Sequence, residues 1–219
     1  MPQTALLSST IGKKIVMAVT GVILVGFVVA HMSGNLLLFV GPEALNEYGR
    51  WLRTLLHGAG LWIVRGVLLV AVVLHIASAW SLTRAARTAR PVPYKQLVPD
   101  ASTYASRTMR WGGVIVLAFI LFHLMHLTIG NVHPDFVPGD VYHNMVAGFR
   151  VWPVSLFYVV AMVLLGFHLR HGVWSMLHTL GLSHASYRAL ARRAALGIAL
   201  IVTLGFIACP MAVLIGLVR

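Results

Sequence analysis

Hydrophobic residues form five long runs along the chain, and shorter segments that contain most of the charged residues separate them. At a rise of about 1.5 Å per residue, each run is long enough to cross roughly 30 Å of hydrocarbon as a helix. The predicted spans are residues 15–40, 61–82, 111–130, 154–176 and 194–217. We therefore predict an all-α membrane protein in which residues 1–219 form a single transmembrane domain.

The composition supports a membrane protein and excludes several other classes. Hydrophobic residues make up 59% of the chain, whereas only five residues are aspartate or glutamate. The net charge of +12 comes from lysines and arginines that lie mostly between the hydrophobic runs, where they set topology, so we predict no nucleic-acid binding. The single cysteine, Cys209, lies within a span, which excludes a C-x-x-C-H haem attachment and a thiolate-held iron–sulfur cluster.

The distribution of positive charge predicts the orientation of the helices. With a cytoplasmic N-terminus, eleven basic residues fall in cytoplasmic segments and four in outer segments. The cytoplasmic set is Lys13, Lys14, Arg84, Arg87, Arg90, Lys95, Arg107, Arg110, Arg188, Arg192 and Arg193, and the outer set is Arg50, Arg53, Arg150 and Arg219. This bias predicts a cytoplasmic N-terminus, an outer C-terminus and a cytoplasmic loop at 83–110.

Each of the first four spans contains a histidine just beyond its midpoint: His31, His75, His123 and His168. Because successive helices run in opposite directions, His31 and His123 are predicted at one outer depth, and His75 and His168 at one inner depth. Haem iron is held by ligands such as histidine, one on each face of the ring, and a four-helix bundle offers apolar walls for the porphyrin. The pattern predicts two bis-histidine haems, separated by about 9–10 Å along the membrane normal.

A weak internal repeat supports this pairing. His31 and His75 are 44 residues apart, His123 and His168 are 45 apart, and a phenylalanine precedes each of His31 and His123 by four residues. Two copies of one helical hairpin would produce these spacings. Depth alone leaves two choices open, because His126 follows His123 by three residues and His171 follows His168 by three. We expect the histidines at the span edges to be solvated or interfacial: His57, His133, His143, His178 and His184.

Four motifs resemble one family. They are FHLRHGVWS (167–175), GFVVAHMSGN (26–35), FILFHLMH (119–126) and GPEALNEYGRWLR (41–53). With them the chain resembles the cytochrome b membrane anchor of succinate dehydrogenase or fumarate reductase, of the single-chain, five-helix, di-haem type. The resemblance implies His31 and His123 as axial ligands of the outer haem iron, and His75 and His168 as those of the inner haem iron. It favours His123 over His126 and His168 over His171.

The resemblance also implies partners and a location. A flavoprotein subunit would oxidise succinate, and an iron–sulfur subunit would dock on the cytoplasmic face. The anchor would pass electrons through two b haems to menaquinone or another quinone in the bilayer of a bacterial cytoplasmic membrane. Trimers of whole complexes are also expected.

Five further residues are expected to contribute to these sites. Arg170 and His171 lie inward of His168, where they would contact the propionates of the inner haem, and Arg65 would do the same for the outer haem. The other interpretation of Arg170 is an arginine that extends to the cytoplasmic interface. Glu43 and Glu47 lie outside the membrane, where a carboxylate would exchange protons with a quinone, or would simply be a solvated loop charge.

Several rival functions fit parts of the pattern. The nearest is a di-haem anchor of another respiratory complex, such as a nitrate reductase, a formate dehydrogenase or a hydrogenase. Clustered intramembrane histidines also occur in metal transporters, which would require acidic partners and ligands at a single depth. The third rival is a haem-free anchor whose histidines only tie helices together. In some fumarate reductases a glutamate stands two residues before the haem histidine of span four, whereas here that residue is Gly166.

Overall fold

The hydrophobic runs are helical in a computed structural model, which describes residues 9–89, 104–182 and 184–219. Seven α-helices follow one another: α1 Thr10–Asn35, α2 Pro42–Thr54, α3 Ala59–Thr88, α4 Tyr104–Leu124, α5 Val141–Arg150, α6 Trp152–Thr179 and α7 Arg188–Leu214. Short 3₁₀ segments cover Leu36–Phe39, Leu55–Gly58 and Ala185–Tyr187, and a π-helical turn at Met125–Ile129 continues α4. Within these described ranges no residue is in a strand, and the all-α prediction is confirmed.

Five helices are long and apolar enough to cross a membrane: α1, α3, α4, α6 and α7. They match the predicted spans, and several helices extend beyond them. Helix α1 begins at Thr10, where Ser9 Oγ accepts a hydrogen bond from the Gly12 N–H at 3.0 Å, and the 3₁₀ segment continues the first span to Phe39. Helices α3 and α4 extend into the predicted loop at 83–110, of which residues 90–103 lie outside the described ranges. Hydropathy locates only the apolar part of a helix, so polar helix ends are missed.

The spanning helices form a bundle in which α1 and α6 are central. Helix α1 packs against α3, α6 and α7, and α6 packs against α1, α4 and α7. In the described part of the chain, α1 and α4 do not pack closely, and neither do α3 and α6. We call these two gaps the α1/α4 seam and the α3/α6 seam.

The fifth spanning helix, α7, closes one side of the bundle. Val202 and Ala199 of α7 are almost fully buried in a cluster with Met32 of α1 and Leu169 of α6. Small and branched side chains on α7 let it lie close to both central helices. Helix α7 therefore holds α1 and α6 together. The two seams lie on the sides of these central helices where α4 and α3 are the neighbours.

The outer faces of the helices are apolar. Leu69, Ile201 and Leu204 are each more than 60% exposed, and Trp62 and Trp111 near helix ends are 70% and 76% exposed. In water such a surface would favour aggregation, whereas in a bilayer it contacts lipid, with tryptophans at the interfaces. The exposed faces and the five apolar helices indicate a multi-pass membrane protein.

Two short helices, α2 and α5, lie together at the end of the bundle where α1 ends, which we call the cap end. Asn46 of α2 joins them, because its Oδ1 accepts from the Tyr142 N–H at 3.0 Å and its Nδ2 donates to Asp140 Oδ1 at 2.9 Å. Asp140 also accepts from the His143 N–H at 2.9 Å and so caps the N-terminus of α5. This amide–carboxylate clip links two segments that are far apart in sequence.

The clip generates a prediction about stability. Replacing Asp140 by alanine should lower the free energy of unfolding by about 1 kcal/mol, the usual cost of losing an N-cap. The His143 N–H stabilises the carboxylate and holds the pKa of Asp140 below its ordinary value. The charged cap therefore contributes stability above the ordinary pKa of about 4, and this is lost as pH falls through the lowered value.

Thermal unfolding in detergent, at neutral pH and at about pH 3, measures both effects. The Asp140→Asn variant is the matched control, because an asparagine caps a helix without a titrating charge. The difference between wild type and Asp140→Asn should shrink in acid. Equal melting temperatures of wild type and Asp140→Ala at neutral pH would contradict the role of the clip.

Candidate functional site

The first histidine pair, His31 and His123, lies across the α1/α4 seam. The ring centroids are 5.8 Å apart and the ring planes are inclined at 73°. Phe27 stacks on His31 at 5.3 Å, and Phe119 stacks on His123 at 5.7 Å. Phe206 of α7 lies 5.8 Å from the His31 ring, so aromatic side chains form the walls around this pair.

The second histidine pair, His75 and His168, lies across the α3/α6 seam with ring centroids 6.3 Å apart. The Thr20 hydroxyl of α1 is 3.1 Å from Nδ1 of His75. Nδ1 of His168 is buried and has no hydrogen-bond partner among the described residues. Unpaired buried polar atoms are uncommon in proteins, and Nε2 of His126 is a second one among the described residues.

The two pairs fit a metal-centred ligand such as haem. Imidazoles that bind one metal ion from opposite sides, each at about 2 Å, bring their ring centroids to about 6 Å apart. Both observed separations are close to this value. Each pair also joins two helices that do not pack on each other, which leaves the seam between them for a flat group.

Two glycines show the depth difference between the pairs. Gly21 and Gly113 each precede the first-pair histidine of their own helix by ten residues, and each faces the second pair. A Cβ at Gly21 would lie 3.8 Å from Cε1 of His75, and one at Gly113 would lie 4.0 Å from Cε1 of His168. Ten helical residues rise by about 15 Å along the helix axis. The predicted haem separation of about 9–10 Å along the membrane normal stays a prediction.

His126, the rival of His123, has a different environment. Its ring is fully buried and lies 4.8 Å from the ring of His133, centroid to centroid, rather than facing His31. Nδ1 of His126 is 3.0 Å from the Tyr158 hydroxyl, and Nδ1 of His123 is 3.3 Å from the same oxygen. The geometry thus favours His123 as the partner of His31.

A comparison with protein-family models identifies the family. The model described as succinate dehydrogenase/fumarate reductase transmembrane subunit matches residues 87–208, more than half of the chain. The chain belongs to this family. It is therefore a membrane subunit of an oxidoreductase complex, and the matched segment contains His123 and His168. Comparisons with curated proteins and with solved structures found no match.

Three other residues of this transmembrane subunit were predicted to contact haem propionates: Arg65, Arg170 and His171. Arg65 is exposed, with its guanidinium 4.9 Å from the Trp62 ring centroid, and Arg170 is exposed on α6. His171 is half-buried, one turn beyond His168. Their contacts with haem propionates stay predictions.

The two carboxylates predicted at a quinone site are exposed on α2 at the cap end. Glu43 lies in the first turn of α2, and Glu47 forms a surface ion pair with Arg50 at 3.6 Å. A role for either glutamate in proton exchange stays a prediction.

One edge histidine, His133, has specific hydrogen-bond partners. His133 is partly buried, and both of its ring nitrogens are bonded: Nε2 donates to the Asn144 carbonyl at 2.8 Å, and Nδ1 accepts from the Asp135 N–H at 3.0 Å. These two bonds fix the ring in one tautomer. The expectation of a solvated or interfacial side chain did not include them, because it used only the position of His133 in the sequence.

Two features considered in the sequence analysis, a metal-transporter site and a glutamate at 166, can be compared with the described residues. The described residues contain no group of three or more histidine, cysteine, aspartate or glutamate side chains arranged to hold a metal ion. Gly166 packs directly against the Thr203 hydroxyl of α7, so a side chain at 166 would displace α7. A carboxylate could therefore not be accommodated at 166 without repacking α6 and α7.

Tyr158 and Thr20 were missed by the sequence analysis. Tyr158 precedes His168 on α6 by ten residues, and Thr20 precedes His31 on α1 by eleven. About ten residues of helix separate the two levels, so each hydroxyl lies at the depth of the other pair. This spacing could have indicated the depth of each hydroxyl, but not the face of the helix on which it lies.

Gly148 of α5 generates a prediction about the cap end. A Cβ at this position would lie 2.7 Å from Cε1 of His126 and 2.9 Å from Nε2 of His133. These atoms belong to buried rings that cannot easily move, so Gly148→Ala should cost about 1–3 kcal/mol of stability. Gly197→Ala on α7 is the matched control, since a Cβ there meets no atom within 4 Å.

Thermal unfolding of both variants in detergent makes the comparison. The control should unfold at or slightly above the temperature of the wild type, because alanine favours helix over glycine. If Gly148→Ala is as stable as Gly197→Ala, the packing of His126 against α5 is not as described.

Proposed function

We propose that this chain is the membrane anchor and electron-transfer subunit of a succinate:quinone oxidoreductase. It would bind two b haems, one with His31 and His123 and the other with His75 and His168. Electrons would pass through them between an iron–sulfur subunit and menaquinone or another quinone. The observation that carries the proposal is the presence of two histidine pairs, each about 6 Å across, in two seams between helices.

The residues around each pair suit this role. When bound, haem iron supplies one-electron redox chemistry inside the membrane. The four imidazoles would bind through one nitrogen each, and the phenylalanine rings beside His31 and His123 exclude water from the first pair. Low polarity and restricted water access are two of the ways in which a protein sets a haem potential.

The depth difference supports an electron path along the bundle. The pairs lie about 15 Å apart, so they would divide the membrane thickness into shorter steps. With the proposed cytoplasmic N-terminus, the second pair lies nearer the cytoplasmic face, where the iron–sulfur and flavoprotein subunits would dock. The first pair lies nearer the cap end, where Glu43 and Glu47 would face the quinone side. The bacterial cytoplasmic membrane and a trimer of complexes belong to the same proposal.

The family match is what separates this function from its nearest rivals. Di-haem anchors of nitrate reductases, formate dehydrogenases and hydrogenases would use similar histidine pairs. The matched family model is that of succinate dehydrogenase and fumarate reductase. A haem-free anchor is disfavoured because the histidine pairs face each other across two seams that the helices themselves do not close.

Four single substitutions test the haem assignment. His31→Ala and His123→Ala should each remove the same haem, and His75→Ala and His168→Ala should each remove the other, because a bis-histidine haem needs both ligands. A pyridine haemochrome assay with a redox-titrated visible spectrum of the purified chain measures the haem content. The wild type should contain two haems per chain, and each variant one.

Two control substitutions sharpen this test. His184→Ala, at an exposed position, and His126→Ala, at the rival position, should both retain two haems. If His126→Ala loses a haem while His123→Ala keeps both, the assignment of the first pair is wrong. If the wild-type chain and its complex contain no haem, the proposed function is wrong.

A further inference from the structure

One ring in each histidine pair has a hydroxyl group at its Nδ1. Thr20 lies 3.1 Å from Nδ1 of His75, and Tyr158 lies 3.3 Å from Nδ1 of His123. The opposite ring in the second pair, His168, has no partner for Nδ1 among the described residues. Each hydroxyl comes from a central helix, α1 or α6, and reaches a histidine on the neighbouring outer helix. Both contacts thus join a central helix to an outer helix within one hairpin.

The Thr20 contact determines where the His75 proton lies. A threonine hydroxyl has one hydrogen to donate, and that of Thr20 is directed to the Val16 carbonyl at 2.8 Å. The hydroxyl oxygen can then only accept from His75. Nδ1 of His75 therefore carries the proton, which leaves the lone pair of Nε2 available to a metal ion.

The Tyr158 contact permits the same tautomer of His123 through a different arrangement. The Tyr158 side chain is buried, and its hydroxyl lies between Nδ1 of His126 at 3.0 Å and Nδ1 of His123 at 3.3 Å. It has one hydrogen and can also accept. When the hydrogen points to His126, the nearer ring, the oxygen accepts from Nδ1–H of His123. The Nε2 lone pair of His123 is then available to a metal ion.

We propose that Thr20 and Tyr158 are positioning residues, each of which orients one haem ligand and fixes its tautomer. The proposal rests on the proposed function, since it concerns the same two histidine pairs. Hydrogen bonds to the second nitrogen of a metal-binding histidine raise its basicity and hold its ring in place. Each hydroxyl thus stabilises the oxidised haem of its own pair and lowers the reduction potential of that haem alone.

The two hydroxyl contacts differ, and this difference would let the chain set the reduction potential of each haem independently. The Thr20 hydroxyl donates to the backbone carbonyl of Val16, one turn earlier on α1. The Tyr158 hydroxyl is shared with the buried ring of His126, which packs against His133 and the cap end. Changes at the cap end therefore act on His123 through Tyr158, whereas His75 is insulated from them.

The test uses the haem-loaded full chain and two variants that remove one hydroxyl each. Tyr158→Phe keeps the ring and its packing, and Thr20→Val keeps the shape of the side chain. At a fixed potential, each should raise the reduced-to-oxidised ratio of one haem about threefold to tenfold, where tenfold corresponds to 59 mV for one electron. Tyr158→Phe should shift the haem that His123→Ala removes, and Thr20→Val the haem that His75→Ala removes. The measurement is a redox titration monitored by visible and electron paramagnetic resonance spectra.

Thr20→Ser is the matched control, because it retains the hydroxyl and should leave both potentials unchanged. Unchanged potentials in Tyr158→Phe and Thr20→Val, with both haems bound, would overturn the positioning roles and leave the proposed function intact. Equal shifts of both haems in either variant would also overturn them, since that result indicates general loosening. If Tyr158→Phe loses the haem of the first pair, the second pair alone tests the proposal. The potential of its haem should then shift in Thr20→Val and stay unchanged in Thr20→Ser. A wild-type chain without haem would overturn the proposed function and this inference together.

Discussion

A histidine ring buried among apolar helices has two nitrogens, and each needs a partner that hydrocarbon cannot provide. The arrangement of this bundle follows from how those nitrogens are satisfied. Hydroxyl groups serve one nitrogen of His75 and one of His123, while Nδ1 of His168 stays unpaired among the described residues. In each pair the rings face one another across a seam that the helices themselves do not close. A flat ligand held between the rings would fill each seam and give the facing nitrogens of the pair a partner.

The remainder of the fold keeps the seams in place. Helices α1 and α6 pack against each other and against α7, whose small residues allow a close approach. This core leaves α3 and α4 as outer helices, each attached mainly to one central helix. At the cap end, the clip between Asn46 and Asp140 holds α2 to α5. The fold thus has a firmly packed side and two seams, which is what a carrier of flat, rigid groups requires.

Much of this could be predicted from the sequence. Hydropathy located the five spans because lipid selects long apolar runs, but it missed helix ends such as that of α3, where polar residues continue the helix to Thr88. Alternating helix direction paired the four histidines at two depths, and the structure brings the same pairs together. The distance between the levels depended on span midpoints, whereas the structure relates them through the ten-residue offset of Gly21 and Gly113 from His31 and His123. Tyr158 and Thr20 were missed because α6 and α1 are apolar nearly all round, so no face of either helix indicated where a hydroxyl would point.

The central claim is that two flat cofactors lie in the two seams, about 15 Å apart along the bundle. A density map of the purified chain, or of its complex, at side-chain resolution tests this most directly. We expect two planar densities, one between His31 and His123 and one between His75 and His168. A single density, a density centred on His126 or His171, or seams closed by direct contact of α1 with α4 and of α3 with α6 would contradict it.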